Sequence, residues 1–372
     1  MAVLDTADVI LVGGGVMGCA CALALAAENA SVLVLERSVP GAEASSAAAG
    51  ILGAQSESHQ PGPFFQLAER SRASYEGWTS RLREVTGIDV GYRRSGVLHV
   101  VFDDPAREKL AADTAWQVEA GLELEMLDAA GIAELEPSVS AMASFGVHFA
   151  RDGRVDPPLL LKALHIAAAR AGVRFQTGTY VRSLDVVEGA VRGVVLEDGT
   201  RVASPNVVLA AGSWSTLVLG TPLDAGAVLP ARGQIVELET REPFLGRVIV
   251  GPACYLVPRD DGRVLVGSTL EFVGYRREVT ALAVKNLLGA AIEIAPSLAD
   301  ASVNRMWSNF RPYTSRGMPL IGPTDVRGLI LATGHHRNGI LLAPITADIV
   351  RSIVVGEKPP VDLAPFVWKS AR

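Results

Sequence analysis

The sequence predicts a chain of mixed α/β and α+β class, with a parallel-sheet domain assembled from separated segments and interleaved with an antiparallel-sheet domain. Three observations predict it. Short unbroken apolar runs at 9–12, 31–35, 207–210 and 329–332 have the texture of strands buried on both faces. From Val228 onward the pattern changes to alternating strands with one solvated face. The length, 372 residues, accommodates about two domains.

The first run leads into Gly13-Gly14-Gly15-Val16-Met17-Gly18, a GxGxxG pattern. An Ala/Leu-rich helix pattern over 16–29 and a strand ending at Glu36 follow. Gly13 permits the tight turn, Gly15 lets backbone approach a pyrophosphate, and Gly18 lets the helix lie against the strand. The helix N-terminus offers N–H groups and partial positive charge to phosphates. Glu36 can accept hydrogen bonds from ribose hydroxyls, and its charge disfavours the 2′-phosphate of NADP. Strand, glycine loop, helix and acidic residue in that order predict dinucleotide binding. The motif alone does not separate FAD from NAD. The small run Ser45-Ser46-Ala47-Ala48-Ala49-Gly50 favours FAD, because it can pass beside a flat ring system. An ordinary Ala/Ser loop has the same composition.

Residues 64–86 read as a long amphipathic helix, 88–102 as strands with a turn at Arg94-Ser95-Gly96, and 105–120 and 128–136 as helices. A strand at 145–149 and a turn at Arg151-Asp152-Gly153 precede a helix over 156–171, with prolines in its first turn. Strands at 173–176, 181–187 and 191–196 follow, and Asp198-Gly199 signals a hairpin between Val194 and Val202. In the second domain the strands are 233–238, 247–250, 255–258, 263–268 and 301–311, with a turn at Asp260-Asp261-Gly262 and a helix over 278–295. The tail returns to a buried strand, the polar loop 333–339 and a helix over 340–355, a second helix N-terminus suited to anions or carbonyls.

A formal net charge of -6 gives no electrostatic basis for binding nucleic acid or anionic lipid. The uncharged stretch 9–27 contains three adjacent glycines and follows Asp5 and Asp8, so it reads as strand plus helix rather than a membrane span. Cys19, Cys21 and Cys254 make neither a zinc spacing nor a CxxC pair, and they suggest a reducing, cytoplasmic setting. No metal is expected.

DVILVGGGVMG, Glu36-Arg37 with GAEASSAAAGILGAQ, EVTGIDVGYRRSG and ATGHHRNGILLAPITA, extended by CYLVPRDDGRVLVGSTLE and NFRPYTSRGMPLIG, together resemble the D-amino acid oxidase family of flavoproteins, nearest to its glycine oxidases. The resemblance spans nearly the whole chain. It implies a Rossmann-like FAD-binding domain of glutathione reductase type over 1–88, 147–220 and 318–372, and a substrate-binding domain over 89–146 and 221–317. It implies noncovalent FAD lined by Gly13, Gly15, Val16, Met17, Gly18, Glu36, Arg37, Ser45, Ser46, Gly50, Ile51 and Leu52. Val181 is implied at the adenine end, with Ala211 and Gly212 nearby. Gly334, His335, Arg337, Asn338, Gly339, Ile340 and Leu341 are implied beside the flavin ring. Tyr255 and Arg311 match the family's carboxylate-binding pair, and Arg337 an arginine near the substrate amine. Ala253, Gln55, Ser56, Leu270 and His336 depart from the family pattern near the pocket, with Gln55 and Ser56 expected at its entrance.

The implied activity is oxidative deamination of a small amino acid or secondary amine, such as glycine, sarcosine or a small D-amino acid. Hydride transfer to flavin N5 gives an imine and then an oxo acid, and O2 reoxidises the flavin to give H2O2. A homo-oligomer and a link to thiamine biosynthesis are implied by the same resemblance. The chain contains no evident triad or paired carboxylates, which agrees with a hydride route needing no dedicated base. Arg311 would hold the carboxylate through a two-pronged hydrogen bond. His335 and His336 are expected to hold backbone carbonyls, and Trp214 and Trp307 to pack. Two other readings remain open: a dehydrogenase acting on D-amino acids or D-hydroxyproline with a quinone-type acceptor, and a flavin-binding scaffold subunit without catalysis.

Overall fold

The computed structural model describes residues 6–369. Asp5 and the outermost ends of the first and last expected domain segments lie outside the described residues. The four apolar runs form the centre of a six-stranded sheet. Its order is Leu320–Pro323, Leu329–Thr333, Asn206–Leu209, Val9–Val12, Val32–Leu35 and Arg174–Gln176. All neighbours are parallel except the first pair. The stretch 9–27 is strand Val9–Val12 and helix Val16–Ala26. Among the described residues no helix is long and apolar enough to cross a membrane.

Strand alternation explains the layers. Val9 and Leu11 point into one core with helices Val16–Ala26, Pro63–Thr86, Pro157–Arg170 and Gly339–Val355. Ile10 and Val12 point into a second core, shared with the meander Val181–Val187, Ala190–Leu196 and Arg201–Ala203. The hairpin signal is realised there, with Val194 opposite Val202.

The second sheet has eight strands, in the order Ser302–Tyr313, Leu229–Glu239, Arg263–Gly267, Tyr255–Pro258, Val248–Val250, Val97–Val101, Phe145–Phe149 and Glu125–Asp128. It is mixed rather than wholly antiparallel, because Val248–Val250 runs parallel to Val97–Val101. Helix Ala281–Ile294 covers one face. The other face, carrying Ile235, Val250, Val257 and Leu265, is turned toward Ala49 and Ile51 of the first domain. Strand Phe145–Phe149 pairs on both sides within this sheet. The expected boundary at 146/147 falls within that strand.

One further expectation changes. Residues 88–96 form no strand apart from a bridge between Arg93 and Arg154, since Gly91 and Gly96 at φ 66 and 82 break the extended run. The turn expected at Arg151-Asp152-Gly153 carries a fully buried Asp152. Its carboxylate lies 2.5 Å from Arg72 of helix Pro63–Thr86 and accepts the backbone N–H groups of Gln55 and Ser56 at about 3 Å. Gln55 itself is bonded to Arg72 and to Gln117 of helix Asp104–Glu119. Gln55 and Ser56 thus belong to a buried polar network, not to an exposed entrance.

Removing one partner of a buried ion pair strands the other's charge. Asp152→Ala is expected to lower unfolding stability by about 3–5 kcal/mol, read from denaturant titration. A loss below about 1 kcal/mol would show that the pair is not structurally important.

Candidate active site

One cavity, about 400 Å³, runs between the two sheets. At one end Gly13, Gly15, Val16 and Met17 form its wall together with Glu36, Arg37 and Val181. The Glu36 carboxylate accepts N–H groups of Gly14 at 2.7 Å and Ser38 at 2.8 Å, which fixes it beside the glycine turn. Ser45 Oγ accepts the Val16 N–H at 2.9 Å, tying the small-residue loop to the helix N-terminus. Arg37 is 2.5 Å from Glu43, and its guanidinium lies 3.9 Å above the ring of Trp214. Trp214 is therefore part of the cavity wall and not only a packing residue. Trp307 does pack, and its Nε1 donates to the Ala47 carbonyl.

Gly50, Ile51, Ala211, Gly212, His335, Gly339 and Ile340 line the middle. Six expected residues stand behind the wall. Gly18 sits where a Cβ would fall 1.9 Å from the Gly13 carbonyl oxygen, so it sets the helix–strand approach. Ser46 donates to Gly41 O, Leu52 and Leu341 are core residues, Gly334 turns at φ 72, and Asn338 stands at the residue before the last helix with no side-chain capping bond.

Tyr255, Arg311 and Arg337 meet at the far end. Arg311 Nη1 donates to Thr269 O at 3.1 Å and Nη2 to Ser268 Oγ at 2.5 Å. Both partners are uncharged, and among the described residues no carboxylate pairs with Arg311. Two glycines make room. A Cβ on Gly233 would lie 2.3 Å from Arg311 Nη1, and one on Gly267 would lie 2.4 Å from the Tyr255 phenol oxygen. Both side chains therefore lie across neighbouring strands. Arg337 differs, because its Nε is 3.0 Å from Glu57 Oε2 and that carboxylate holds its pKa above the ordinary arginine value.

The histidines correct an expectation. His335 Nε2 bonds the Thr346 hydroxyl at 3.1 Å, and His336 Nε2 has no partner among the described residues, so neither ring holds a backbone carbonyl. Burial pushes the His335 pKa down to about 3. Burial, then the charges of Arg311 and Arg337, push His336 down to about 4. Both rings are neutral at pH 7. Glu57, Gly233 and Gly267 were missed as site residues, because only contacts far apart in sequence give them a role. Ala253 and Leu270, noted as departures, also line the cavity.

A family model described as FAD dependent oxidoreductase matches residues 8–353. The chain belongs to this family, the DAO group of FAD-dependent oxidoreductases. A bifunctional protein ThiO/ThiG of Synechocystis is 38% identical over 95% of this chain, which spans about half (52%) of that relative's length. A glycine oxidase of Geobacillus kaustophilus is 35% identical, with 96% of each chain covered. The crystal structure of glycine oxidase from that organism superposes with a TM-score of 0.93 at 34% identity, covering 99% of both chains. The cofactor of this family member is FAD, and the α/β and α+β fold class read from the sequence is borne out. The cavity fits a dinucleotide, with the fixed Glu36 carboxylate at one end, a helix N-terminus beside it and a path of small residues leading to Tyr255 and Arg311.

Two outcomes follow from this geometry. Gly233→Ala should displace the Arg311 guanidinium and weaken acetate binding about tenfold or more while leaving the bound flavin spectrum unchanged. Unaltered acetate affinity in a titration would contradict the placement. For pH, His335 has a folded pKa below its ordinary value of 6.5, so the unfolded chain binds more protons. Its contribution to stability is full above about pH 6.5 and is lost as pH falls toward 3. Melting curves of His335→Asn should therefore show a shallower fall between about pH 7 and 5 than the parent.

Proposed function

We propose that this chain oxidises glycine, sarcosine or a similarly small amine bearing one carboxylate, with O2 as electron acceptor. The observation that carries this reading is Arg311. It is a cavity arginine positioned by two neutral oxygens, with no acidic partner among the described residues. Such a group is a ready receptor for an anion, and its fork geometry matches a carboxylate. Tyr255 stands beside it on the wall, suited to a second hydrogen bond from its phenol. FAD, when bound, supplies the hydride acceptor.

The protein's own task is orientation. Arg311 and Tyr255 fix the carboxylate, which leaves the neighbouring C–H bond one direction to face, and holding reactants in that way lowers the barrier substantially. Neutral His336 and the paired Arg337 add no base at this end, which suits a route that removes a hydride rather than a proton. A neutral substrate amine is required for that route. The free Cys19, Cys21 and Cys254 are buried, in keeping with a reducing cytoplasmic location. Assembly as a homo-oligomer belongs to the same reading, as does FAD lined by the residues of 13–18, 36–37, 45–52, 181, 211–212 and 334–341. The division into a cofactor domain and a substrate domain is proposed with the boundary moved past Phe149.

The test is a panel of amines on the purified holoprotein, followed by flavin bleaching without air and by peroxide formation in air. Glycine or sarcosine should bleach the flavin. Arg311→Leu should cost about 2–5 kcal/mol of carboxylate binding, a rise in KM of roughly thirtyfold or more. An unchanged KM refutes the role of Arg311. Bleaching without peroxide points to a quinone-type acceptor, and no bleaching by any amine points to a scaffold.

A further inference from the structure

The substrate end of the cavity contains an ion pair that the proposed reaction does not require. Three glutamates line the cavity; Glu36 and Glu43 belong to the nucleotide end, and only Glu57 is paired with a residue of the other end. Its Oε2 is 3.0 Å from Arg337 Nε, and its Oε1 accepts from Arg337 Nη2 at 3.3 Å. Tyr255 is close enough to act on Arg337, and the charges of Arg311 and Arg337 both act on His336, so these groups share one electrostatic space. The Glu57 side chain is 13% exposed and that of Arg337 54%, which puts the carboxylate inside and the guanidinium at the rim.

Glu57 is also held in place. Its N–H donates to Gly53 O at 3.3 Å. The two residues before it donate their N–H groups to buried Asp152, which Arg72 anchors at 2.5 Å. The backbone that carries this carboxylate is thus tied to a buried network, and its side chain is held by Arg337.

The charge count follows. Glu57 satisfies Arg337, and Arg311 is left as the guanidinium of this end without an acidic partner among the described residues. We propose that Glu57 sets the charge class of the substrate: by occupying Arg337 and presenting its own negative charge, it admits amines with one carboxylate and rejects those with two. With Arg311 engaged by the first carboxylate, a second would find Arg337 already taken and a like charge beside it, and such a juxtaposition discriminates by repulsion as well as by a missing partner. This inference rests on the reading that Arg311 binds the substrate carboxylate.

The experiment titrates the holoprotein with acetate and with malonate at neutral pH, following the flavin absorbance, so that it needs no turnover. In Glu57→Gln the malonate affinity relative to acetate should rise about tenfold or more. The ratio of kcat/KM for iminodiacetate over glycine should move the same way. Adding Arg337→Leu to that variant should cancel the gain. Arg337→Leu alone, which leaves Glu57 unpaired, should disfavour malonate further, and it tests the proposal independently if Glu57→Gln does not fold. A malonate-to-acetate ratio constant within about twofold in variants that retain flavin overturns the proposal while leaving the Arg311 reading intact. If neither anion perturbs the flavin of the parent protein or of the variants, both fall together.

Discussion

The site depends on one steric permission. Arg311 can lie across its neighbouring strand only because Gly233 has no side chain, and Tyr255 can cross the next strand only because Gly267 has none. Gly233 and Gly267 belong to adjacent strands of the eight-stranded sheet, Leu229–Glu239 and Arg263–Gly267. The sheet thus provides a flat, hydrogen-bonded floor, and two missing Cβ atoms let a guanidinium and a phenol rest on it. A guanidinium fixed on a rigid strand pays little ordering entropy when an anion arrives, which is the advantage of building a receptor on a sheet rather than on a loop.

That floor is useful only at a fixed distance from the cofactor cradle, and the distance is set by contacts between the domains. Trp307 donates to Ala47 O, and Arg259 donates to Ala49 O. Each ties the small-residue loop 44–52 to a different element of the second sheet or its connections. The Arg72–Asp152–Gln55 network fixes the residues that follow. The loop is therefore stapled on both sides, and its Ala and Ser residues reflect how little room remains between the sheet and the first helix.

The legible and illegible parts of the chain divide along physical lines. Central strands such as Val9–Val12 and Asn206–Leu209 are buried on both faces, so their apolar runs announce them. Leu320–Pro323 and Glu125–Asp128 form the edges of the two sheets, are short, and contain Gly and Pro or charged residues, so they carry no such signal. Residues 88–96 have strand-like composition but pair only through the isolated Arg93–Arg154 bridge. The glycine loop, Glu36, Tyr255 and Arg311 were readable because local spacing or resemblance marks them. Glu57 was not, since its significance lies in an arginine 280 residues away in sequence. Trp214 looked like packing for the same reason; only the fold sets Arg37 above it.

The charges at this end of the cavity nearly cancel except at Arg311. Arg337 is compensated by Glu57, and His335 and His336 are kept neutral by burial, with the nearby guanidinium charges adding to the effect at His336. Arg311 remains as a net positive focus in a partly desolvated space, where a charge acts more strongly than in water. Under the proposed role of Arg311, an incoming carboxylate would neutralise that focus, leaving a neutral imidazole and an ion pair beside it. On the same reading, that neutralisation would remove one of the charges that depress His336, so carboxylate binding and protonation of that imidazole would be linked through Arg311.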